Sequence, residues 1–578
     1  MPANDKRVVK VNRRSGFDKH FRNTLTANVG TLVPILVDEL CPDSKVNLKI
    51  NVAACLPPLV SDTYMNVRLR VEAFAVPHRL CQQNYEEFFS DFAAKYIEDY
   101  DPTNDAPVDA PFIFSDDMKA CMPLIVLGGD FDAIAGVKAL IGRGSLADYM
   151  GLSSSLGDGD IFYDVVAAPF VAYHLIWQEW YRNPRVQRPA FSPLNTADTT
   201  TGSSIIVGSG QTPCSASLIY TRFYFDDNGS QPIIMPLDGE VDIPLAEYIL
   251  ADGKNILELR QRNFGLDFFT AAMVEPQQGP AAVVKFGENG DPVDGFSIAS
   301  LRAQNSLQQF RERNNLTSPR YQQQIYARYG CAPSDGIIQR PILIGAATYD
   351  VYSHGVDTTA QSADDPESSY DNLNIFGGAV GSRYGNGFAS GSDFIISGFH
   401  TKEPMYLIVL ASLVPDVSYS QNMNMIFNRY KGLGSITDLA NPILQNVGPQ
   451  PIPIKLLTDD SVNPDAVFAY TDRYSDWMFK NNEVHGEFKH GGSLVSFVSQ
   501  RYFASEPEFG SEFLTIPTDY LDDVMQFTAS AIGFGYWMDC LMEYKVSMPL
   551  QEYAIPSLQD PGYEHGKTIV LRKNGQLL

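Results

Sequence analysis

The sequence predicts a mainly β protein, built as one antiparallel barrel or sandwich whose connections carry long insertions. Stretches in which apolar and polar residues alternate occur towards both ends of the chain and stop at turn-forming residues. Helical patterns and long turn-rich segments lie between them. The chain has 44 Gly and 37 Pro residues, spread along its length, and only 19% charged residues. This composition excludes a wholly disordered or collagen-like chain.

The first strands are predicted within residues 29–55, after a polar and basic opening. The clearest strand is residues 66–76, where every second residue is apolar and the alternate positions are charged until Phe74. We expect a half-buried strand whose second face becomes apolar before Pro77. Residues 405–414 are almost entirely apolar but too few to cross a bilayer, and they predict a buried strand. Other strand-like runs are residues 393–415, 467–499 and 526–556.

Residues 82–97, 170–182 and 298–313 have helical patterns. Ser297 is a suitable N-cap for the last of these, with Leu307 and Phe310 on one side. Long turn-rich stretches separate the helical and strand-like segments, and loops of this length are usually functional or interface-forming. We therefore predict one domain over residues 29–556, with insertions at about 82–160, 198–257 and 352–392, followed by a polar tail at 557–578.

The charge is unevenly distributed. The net charge of the chain is -25, yet the first 22 residues hold seven Lys or Arg and only two Asp. We interpret residues 1–28 as an extended basic arm on an acidic body. Because the body repels phosphate, the arm is the predicted nucleic-acid contact, with sequence-independent and salt-sensitive binding. The predicted contact residues are Lys6, Arg7, Lys10, Arg13 and Arg14.

The cysteines indicate a protein made in a reducing compartment. There are seven, an odd number, without CxxC spacing, which predicts mostly buried thiols and neither a disulfide framework nor a zinc site. The opening residues contain no apolar signal-peptide core, so secretion by that route is not expected. No stretch predicts insertion in a membrane.

A search for catalytic motifs finds no positive signal. The stretch at 562–568 resembles a phosphate-binding loop but has one residue too few between its glycines. His485 and His490 lie in an apparent strand, where a spacing of five puts them on opposite faces. Acidic clusters near residues 101–109, 364–367 and 459–460 sit among turn formers and are expected to be solvated. We predict no catalytic residue, no metal and no cofactor. An acidic β-sandwich enzyme acting on carbohydrate stays open as the alternative, because sequence cannot show whether two carboxylates converge.

Several segments resemble, in the same order, the major capsid protein of microviruses, the gokushovirus branch of small single-stranded DNA phages in particular. The most specific is Ala172-Tyr173-His174-Leu175-Ile176-Trp177-Gln178-Glu179-Trp180-Tyr181-Arg182-Asn183. The others are Val29-Gly30-Thr31-Leu32-Val33-Pro34, Phe74-Ala75-Val76-Pro77-His78-Arg79-Leu80, Asp267-Phe268-Phe269-Thr270, Gln339-Arg340-Pro341 and Arg473-Tyr474-Ser475-Asp476-Trp477.

The resemblance implies an eight-stranded antiparallel jelly-roll barrel with long loop and helix insertions. It implies a virion protein, made in the bacterial cytoplasm, of which sixty copies form a T=1 icosahedral shell around circular single-stranded DNA. A pilot protein, an internal scaffolding protein, a small basic DNA-binding protein and a host receptor are the implied partners. The helix with Trp177 and Trp180 is expected to pack over the barrel, with an interface between copies as the alternative role.

The sequence departs from the gokushovirus pattern in one long segment. Only about a dozen residues, 285–296, separate the strand containing Pro276–Pro280 from the next helix, too few for that branch's threefold protrusion. We expect residues 198–257 or 352–392 to supply any outer decoration. A receptor-binding spike is a third alternative, but a spike of that kind would be a trimer with sequence repeats, and the chain has none.

Overall fold

The computed structural model describes a large part of the chain. The described ranges are 15–82, 142–153, 163–191, 252–277, 298–358, 383–429 and 448–550, apart from positions 62, 65, 318–319, 332–333, 336–338 and 460–461. Short strands at 118–120, 124–127, 222–226 and 233–235, and residues 85, 89, 250 and 445, are also described. The predicted tail, the phosphate-loop-like stretch and most of the insertions at 82–160 and 198–257 therefore lie outside the described residues.

The strands are β1 (Ser15–Asp18), β2 (Phe21–Ala27), β3 (Val33–Leu40), β4 (Lys45–Cys55), β5 (Val67–Pro77), β6 (Met118–Ala120), β7 (Leu124–Leu127), β8 (Tyr163–Val166), β9 (Arg222–Asp226), β10 (Ile233–Met235), β11 (Ile342–Thr358), β12 (Arg383–His400), β13 (Met405–Pro415), β14 (Ser418–Tyr419), β15 (Gln450–Pro453), β16 (Val467–Thr471), β17 (Asn482–Glu483) and β18 (Tyr536–Met548). The α-helices are α1 (Leu146–Tyr149), α2 (Ala168–Ile176), α3 (Ile298–Leu316), α4 (Tyr321–Tyr329), α5 (Ser475–Met478), α6 (Ser511–Leu514) and α7 (Ala529–Ile532). A π-helical turn, Trp177–Tyr181, continues α2.

The main sheet is antiparallel and has the strand order β1-β18-β4-β12-β11-β5-β13-β3. Strand β2 pairs with β18 beyond β1, so β1 and β2 share one edge position. Counted along the chain, the eight positions follow the order 1-8-3-6-5-4-7-2, which is that of a jelly roll made of two Greek keys. The predicted mainly β, eight-stranded jelly-roll class is confirmed.

Strand β11 connects the two layers of the jelly roll. Its first part, Ile342 to Val351, pairs with β5, and its second part, Tyr352 to Thr358, pairs with β12. Strand β12 then continues against β4. The layer β3-β13-β5 therefore faces the layer β2-β18-β4-β12 across a shared core. That core takes alternate residues of each strand, including Leu69 of β5, Leu407 of β13, Ile50 of β4 and Met542 of β18.

Strand β5 behaves as its sequence pattern predicts. Val67, Leu69, Val71 and Ala73 point into the core between the layers. The opposite face changes from charged to apolar, so that Phe74 and Val76 pack into a second core beneath α2. Every residue of β13 is buried because the strand is covered on both sides, which confirms the predicted buried strand.

The structure differs from the predictions in three segments. Residues 15–18 and 21–27 are strands, so they do not belong to an extended arm. The predicted insertion at 352–392 overlaps strands β11 and β12 at both of its ends. Residues 467–499 contain only the short strands β16 and β17, and the rest is turns and short helices. The apolar side chains of this range are therefore buried by compact loops and not by long paired strands.

Two of the three helical predictions, 170–182 and 298–313, are borne out, while most of the third, 82–97, and the predicted N-cap Ser297 lie outside the described residues. Helix α2 with its π turn covers residues 168–181, and α3 covers 298–316. Leu307 and Phe310 on α3 are exposed. Of the five described cysteines, all have free thiols, two are buried and Cys331 is exposed. Within the described part of the chain, no helix is both long and apolar enough to span a bilayer.

Candidate interface and nucleic-acid-binding sites

The five predicted nucleic-acid contacts, Lys6, Arg7, Lys10, Arg13 and Arg14, lie outside the described residues. The structure does show where the chain leaves the jelly roll. Ser15 is the first described residue, and it pairs with Met548 at the end of β18. The residues before Ser15 therefore start from one corner of the main sheet.

Two further basic residues of the opening segment are engaged within the fold. Lys19 Nζ donates to Asp38 Oδ2 at 2.8 Å. Arg22 binds the carboxylate of Asp539 through two hydrogen bonds of 2.6 Å each. No local pattern predicts the second pair, because its partners are 517 residues apart. Of the seven basic residues in the first 22, Lys19 and Arg22 therefore already have carboxylate partners within the fold.

The edge formed by β1 and β2 is also fastened to β3. Asn23 Nδ2 donates to the Ile35 carbonyl at 2.8 Å, and the Tyr544 hydroxyl donates to Asp38 at 2.6 Å. Since β2 and β3 occupy the two ends of the strand order, these side-chain bonds bring the ends together. The corner from which the opening residues leave is therefore held in place by several independent contacts.

Residues 172–183, the segment that most resembles a microvirus capsid protein, lie over the β5-β13 layer, and we call this segment the clamp. Trp177 Nε1 donates to the Gln261 carbonyl at 3.2 Å, and Trp180 Nε1 donates to the Pro341 carbonyl at 2.9 Å. The Tyr181 hydroxyl donates to Glu72 of β5 at 2.5 Å. These bonds confirm that the two tryptophans pack over the barrel. Their rings are amphipathic, and each places its only polar atom on a backbone acceptor.

A fully buried arginine lies next to this clamp. Arg260 forms an ion pair with Asp252, its Nε donates to His174 Nδ1 at 2.8 Å, and its guanidinium lies over the Trp177 ring. His174 Nε2 in turn donates to the Ile256 carbonyl at 2.7 Å, which fixes a neutral imidazole with its proton on Nε2. Burial and the Arg260 charge lower the pKa of His174 well below its usual value. Sequence reasoning did not single out Arg260, since nothing in the local pattern predicts a buried charge.

A second charged pair crosses the same face. Arg262 Nη1 donates to Glu72 Oε2 at 2.6 Å and to the Ser412 hydroxyl at 3.1 Å. Burial opposes ionisation of Glu72, but the Arg262 charge and the hydrogen bonds outweigh it and lower the pKa of the carboxyl. Both charges therefore have partners, as buried ions require. The arrangement joins β5, β13 and the segment after Leu257, and it fits a structural role.

His485 and His490 do not form a metal site with each other. His485 lies 3.3 Å from Glu483 and precedes a short 3-10 helix, while His490 stacks on Tyr502 with ring centres 3.8 Å apart. The predicted strand over these residues is wrong, because turns at Gly486 and Gly491 interrupt it. Among the residues that the structure describes, no three metal-ligating side chains come together. The acidic clusters near 101–109 and 364–367 lie outside the described residues.

Exposed apolar side chains line a groove between α5 and the 3-10 helix Met425–Asn428. We call it the aromatic groove, and define it as the exposed residues Ile426, Phe427, Trp477, Met478 and Phe479. Four of them line a groove of about 380 Å³, and Phe427 adjoins Ile426. Buried Phe268 and Phe269 form its floor. Its lining also contains Arg429, Asp476, Lys480 and Glu483, whose charges cancel.

Comparisons with known proteins agree with the fold. The family model described as capsid protein (F protein) matches residues 7–115 and 289–558. The chain is 23% identical to capsid protein VP1 of Chlamydia phage 1, over 95% of this chain and 96% of that protein. It is 22% identical to capsid protein VP1 of Bdellovibrio phage phiMH2K, over 94% and 95%. The chain therefore belongs to the capsid protein (F protein) family of phages, and it is a structural protein of the virion.

Proposed function

We propose that this protein assembles into a T=1 icosahedral shell of sixty copies that encloses circular single-stranded DNA. The observation that carries the proposal is the jelly-roll strand order, found in a chain whose family model covers both ends of the roll. A rigid jelly roll with long connections offers each copy several different surfaces. Closed assemblies need such surfaces, because neighbours around each symmetry axis meet through the same repeated contact.

The basic opening residues are proposed to face the interior. Lys6, Arg7, Lys10, Arg13 and Arg14 precede a strand that is fixed at one corner of the sheet, so they can reach beyond the acidic body. Phosphate contacts of this kind need no base recognition and suit a genome of arbitrary sequence. The insertions at about 82–160, 198–257 and 352–392 are proposed to form outer decoration or contacts between copies.

Other virion components are proposed as partners. A pilot protein, an internal scaffolding protein, a small basic DNA-binding protein and a host receptor would each need a surface that the shell does not use. The arm is shortened to the residues before Ser15, so the proposed capsid domain runs from Ser15, rather than residue 29, to residue 556, and the proposed tail stays at 557–578.

Particle formation tests the shell. The expressed protein, alone or with the other virion proteins, should sediment as closed particles of uniform size, and electron microscopy should resolve sixty subunits. A monomer that hydrolyses carbohydrate would contradict the proposal and favour the enzyme alternative.

Charge substitutions test the arm separately. Replacing all five arm residues with Ser should preserve shells and reduce the DNA that they retain. Binding of single-stranded DNA by wild-type protein should weaken with salt, with a slope of about -3.5 in log K against log salt for five contacts. The matched control is Lys19→Ser with Arg22→Ser, because both side chains are occupied by Asp38 and Asp539. Loss of DNA in the control, or normal retention in the five-fold variant, would refute the role of the arm.

A further inference from the structure

We infer that the aromatic groove is a contact between copies of this chain, occupied by a neighbouring subunit. The inference rests on the proposed function, since it requires that copies assemble. It names one surface among the several that such a shell needs.

The exposed area is the first step. Trp477, Met478 and Phe479 expose 58%, 59% and 55% of their surface, and Ile426 and Phe427 expose 62% and 76%. At about 200 Å² for a large side chain, the five residues leave roughly 600 Å² of mainly apolar surface in water. That is at the top of the range for the largest apolar patch of a monomer. It approaches the roughly 800 Å² that each partner buries in a stable interface.

The groove is held in its shape before any partner binds. Asp476, inside α5, forms an ion pair with Arg429 and accepts a hydrogen bond of 3.2 Å from Gln450 Nε2. The Arg429 guanidinium lies 4.5 Å from the centre of the Trp477 ring and so supports one face of it. Arg473 Nε also donates to the Gly448 carbonyl at 2.9 Å, which ties the start of this segment to β15. A preorganised surface loses little conformational entropy on binding.

The charge of the groove favours a protein partner over nucleic acid. Its four ionic residues are two bases and two acids, and Arg429 is already paired with Asp476. The groove therefore lacks the excess positive charge on which phosphate binding depends. Apolar and aromatic side chains with few net charges are instead typical of the centre of protein interfaces. Because the protein is proposed to build a shell of itself, the partner that every copy meets is a second copy.

The experiment compares two double variants with equal changes of charge. Ile426→Glu with Met478→Glu places two carboxylates in the aromatic groove. Leu266→Glu with Val462→Glu places two carboxylates at apolar side chains that are 84% and 96% exposed and lie outside the groove. Particle yield is measured by sedimentation, and the folding of each variant by thermal unfolding. We expect the groove variant to lose at least ten-fold in particle yield while its unfolding temperature stays unchanged, and the control to match wild type.

The possible results separate the two proposals. Wild-type protein that never forms particles overturns the shell and the groove contact together. Particles at wild-type yield from the groove variant overturn the groove contact alone. Equal losses in both double variants also overturn it, because charge rather than position would then be responsible. Particles that form normally but retain less DNA would assign the groove to nucleic acid. Should the groove variant unfold at lower temperature, Ile426→Ser with Met478→Ser removes apolar surface without charge and must still lower the yield.

Discussion

The guanidinium carbon of Arg260 lies 4.3 Å from the centre of the Trp177 ring, and both side chains are buried. A charge in this position is tolerated because Asp252, His174 and the ring together replace its hydration. The pair links the most recognisable segment of the sequence to a residue that no motif identifies. Because Asp252 is the counter-ion of Arg260, loss of the Asp252 carboxylate alone should destabilise the clamp.

Asp252→Asn should destabilise the protein strongly. The substitution leaves Arg260 charged and buried without its counter-ion, and breaking a buried pair in this way typically costs about 3–5 kcal/mol. Urea unfolding monitored by tryptophan fluorescence measures the change in the free energy of unfolding. Asp465→Asn is the control, because Asp465 pairs with Lys455 but is 76% exposed, and the expected loss there is below about 1 kcal/mol. An equal decrease in the free energy of unfolding in the two variants would show that Asp252 does not stabilise the buried Arg260 charge.

Gly391→Ala should destabilise the junction of β12 with β11 and β4. A Cβ atom at Gly391 would overlap Cε1 of Tyr349, whose hydroxyl accepts a hydrogen bond from the Phe394 amide. Displacing the ring should cost roughly 2 kcal/mol or more of unfolding free energy, as overpacking does. Gly16→Ala in β1 is the control, since no atom lies within 4 Å of its added Cβ. Equal stability of both variants in thermal unfolding would contradict the close approach of Tyr349.

Stability should fall with acidity because of His78. Its ring is 2% exposed, stacks on Tyr406 with centres 4.0 Å apart, and has Tyr85 Oη at 3.5 Å from Nδ1. Glu39 is the nearest carboxylate, at 3.7 Å from Nε2, too far for a hydrogen bond. Burial therefore dominates and lowers the pKa of His78 from 6.5 to about 4.

The sign of the pH effect follows from this lowered pKa. Above pH 6.5 the imidazole is neutral in both states and carries no penalty. Between pH 6.5 and about 4 the unfolded chain binds a proton that the folded chain excludes, so the unfolding free energy should fall by about 1.4 kcal/mol per pH unit. His78→Phe keeps the stacking and should reduce this slope in unfolding measured at several pH values. An unchanged slope in the variant would mean that His78 is protonated in the folded state.

Local patterns were sufficient for the elements whose environment is set by their own sequence. The alternation in β5 predicts its buried face, and the predicted change to apolar residues at Phe74 coincides with the second core that the structure shows. The uniform apolarity of β13 predicts a strand covered on both sides. The clamp was recognised because its tryptophans are rare and closely spaced.

Elements that depend on distant partners could not be predicted locally. Strands β1 and β2 are polar in sequence and become strands because β18, more than 500 residues later, pairs with them. The glycine-rich stretch before Ser392 suggested a loop, yet Gly387 and Gly391 are strand residues that make room for Leu56 and Tyr349. Likewise, the partners of Lys19, Arg22 and Arg260 are set by tertiary contacts.

The central position of β18 in its layer has a consequence for synthesis. This strand lies between β2 and β4, so those early strands wait for their common neighbour until the ribosome has translated residues 536–548. A polypeptide interrupted before that point lacks the piece that joins its two halves. A chain that ends before β18 leaves one edge of β4 unpaired, and an unpaired strand edge can pair with another chain.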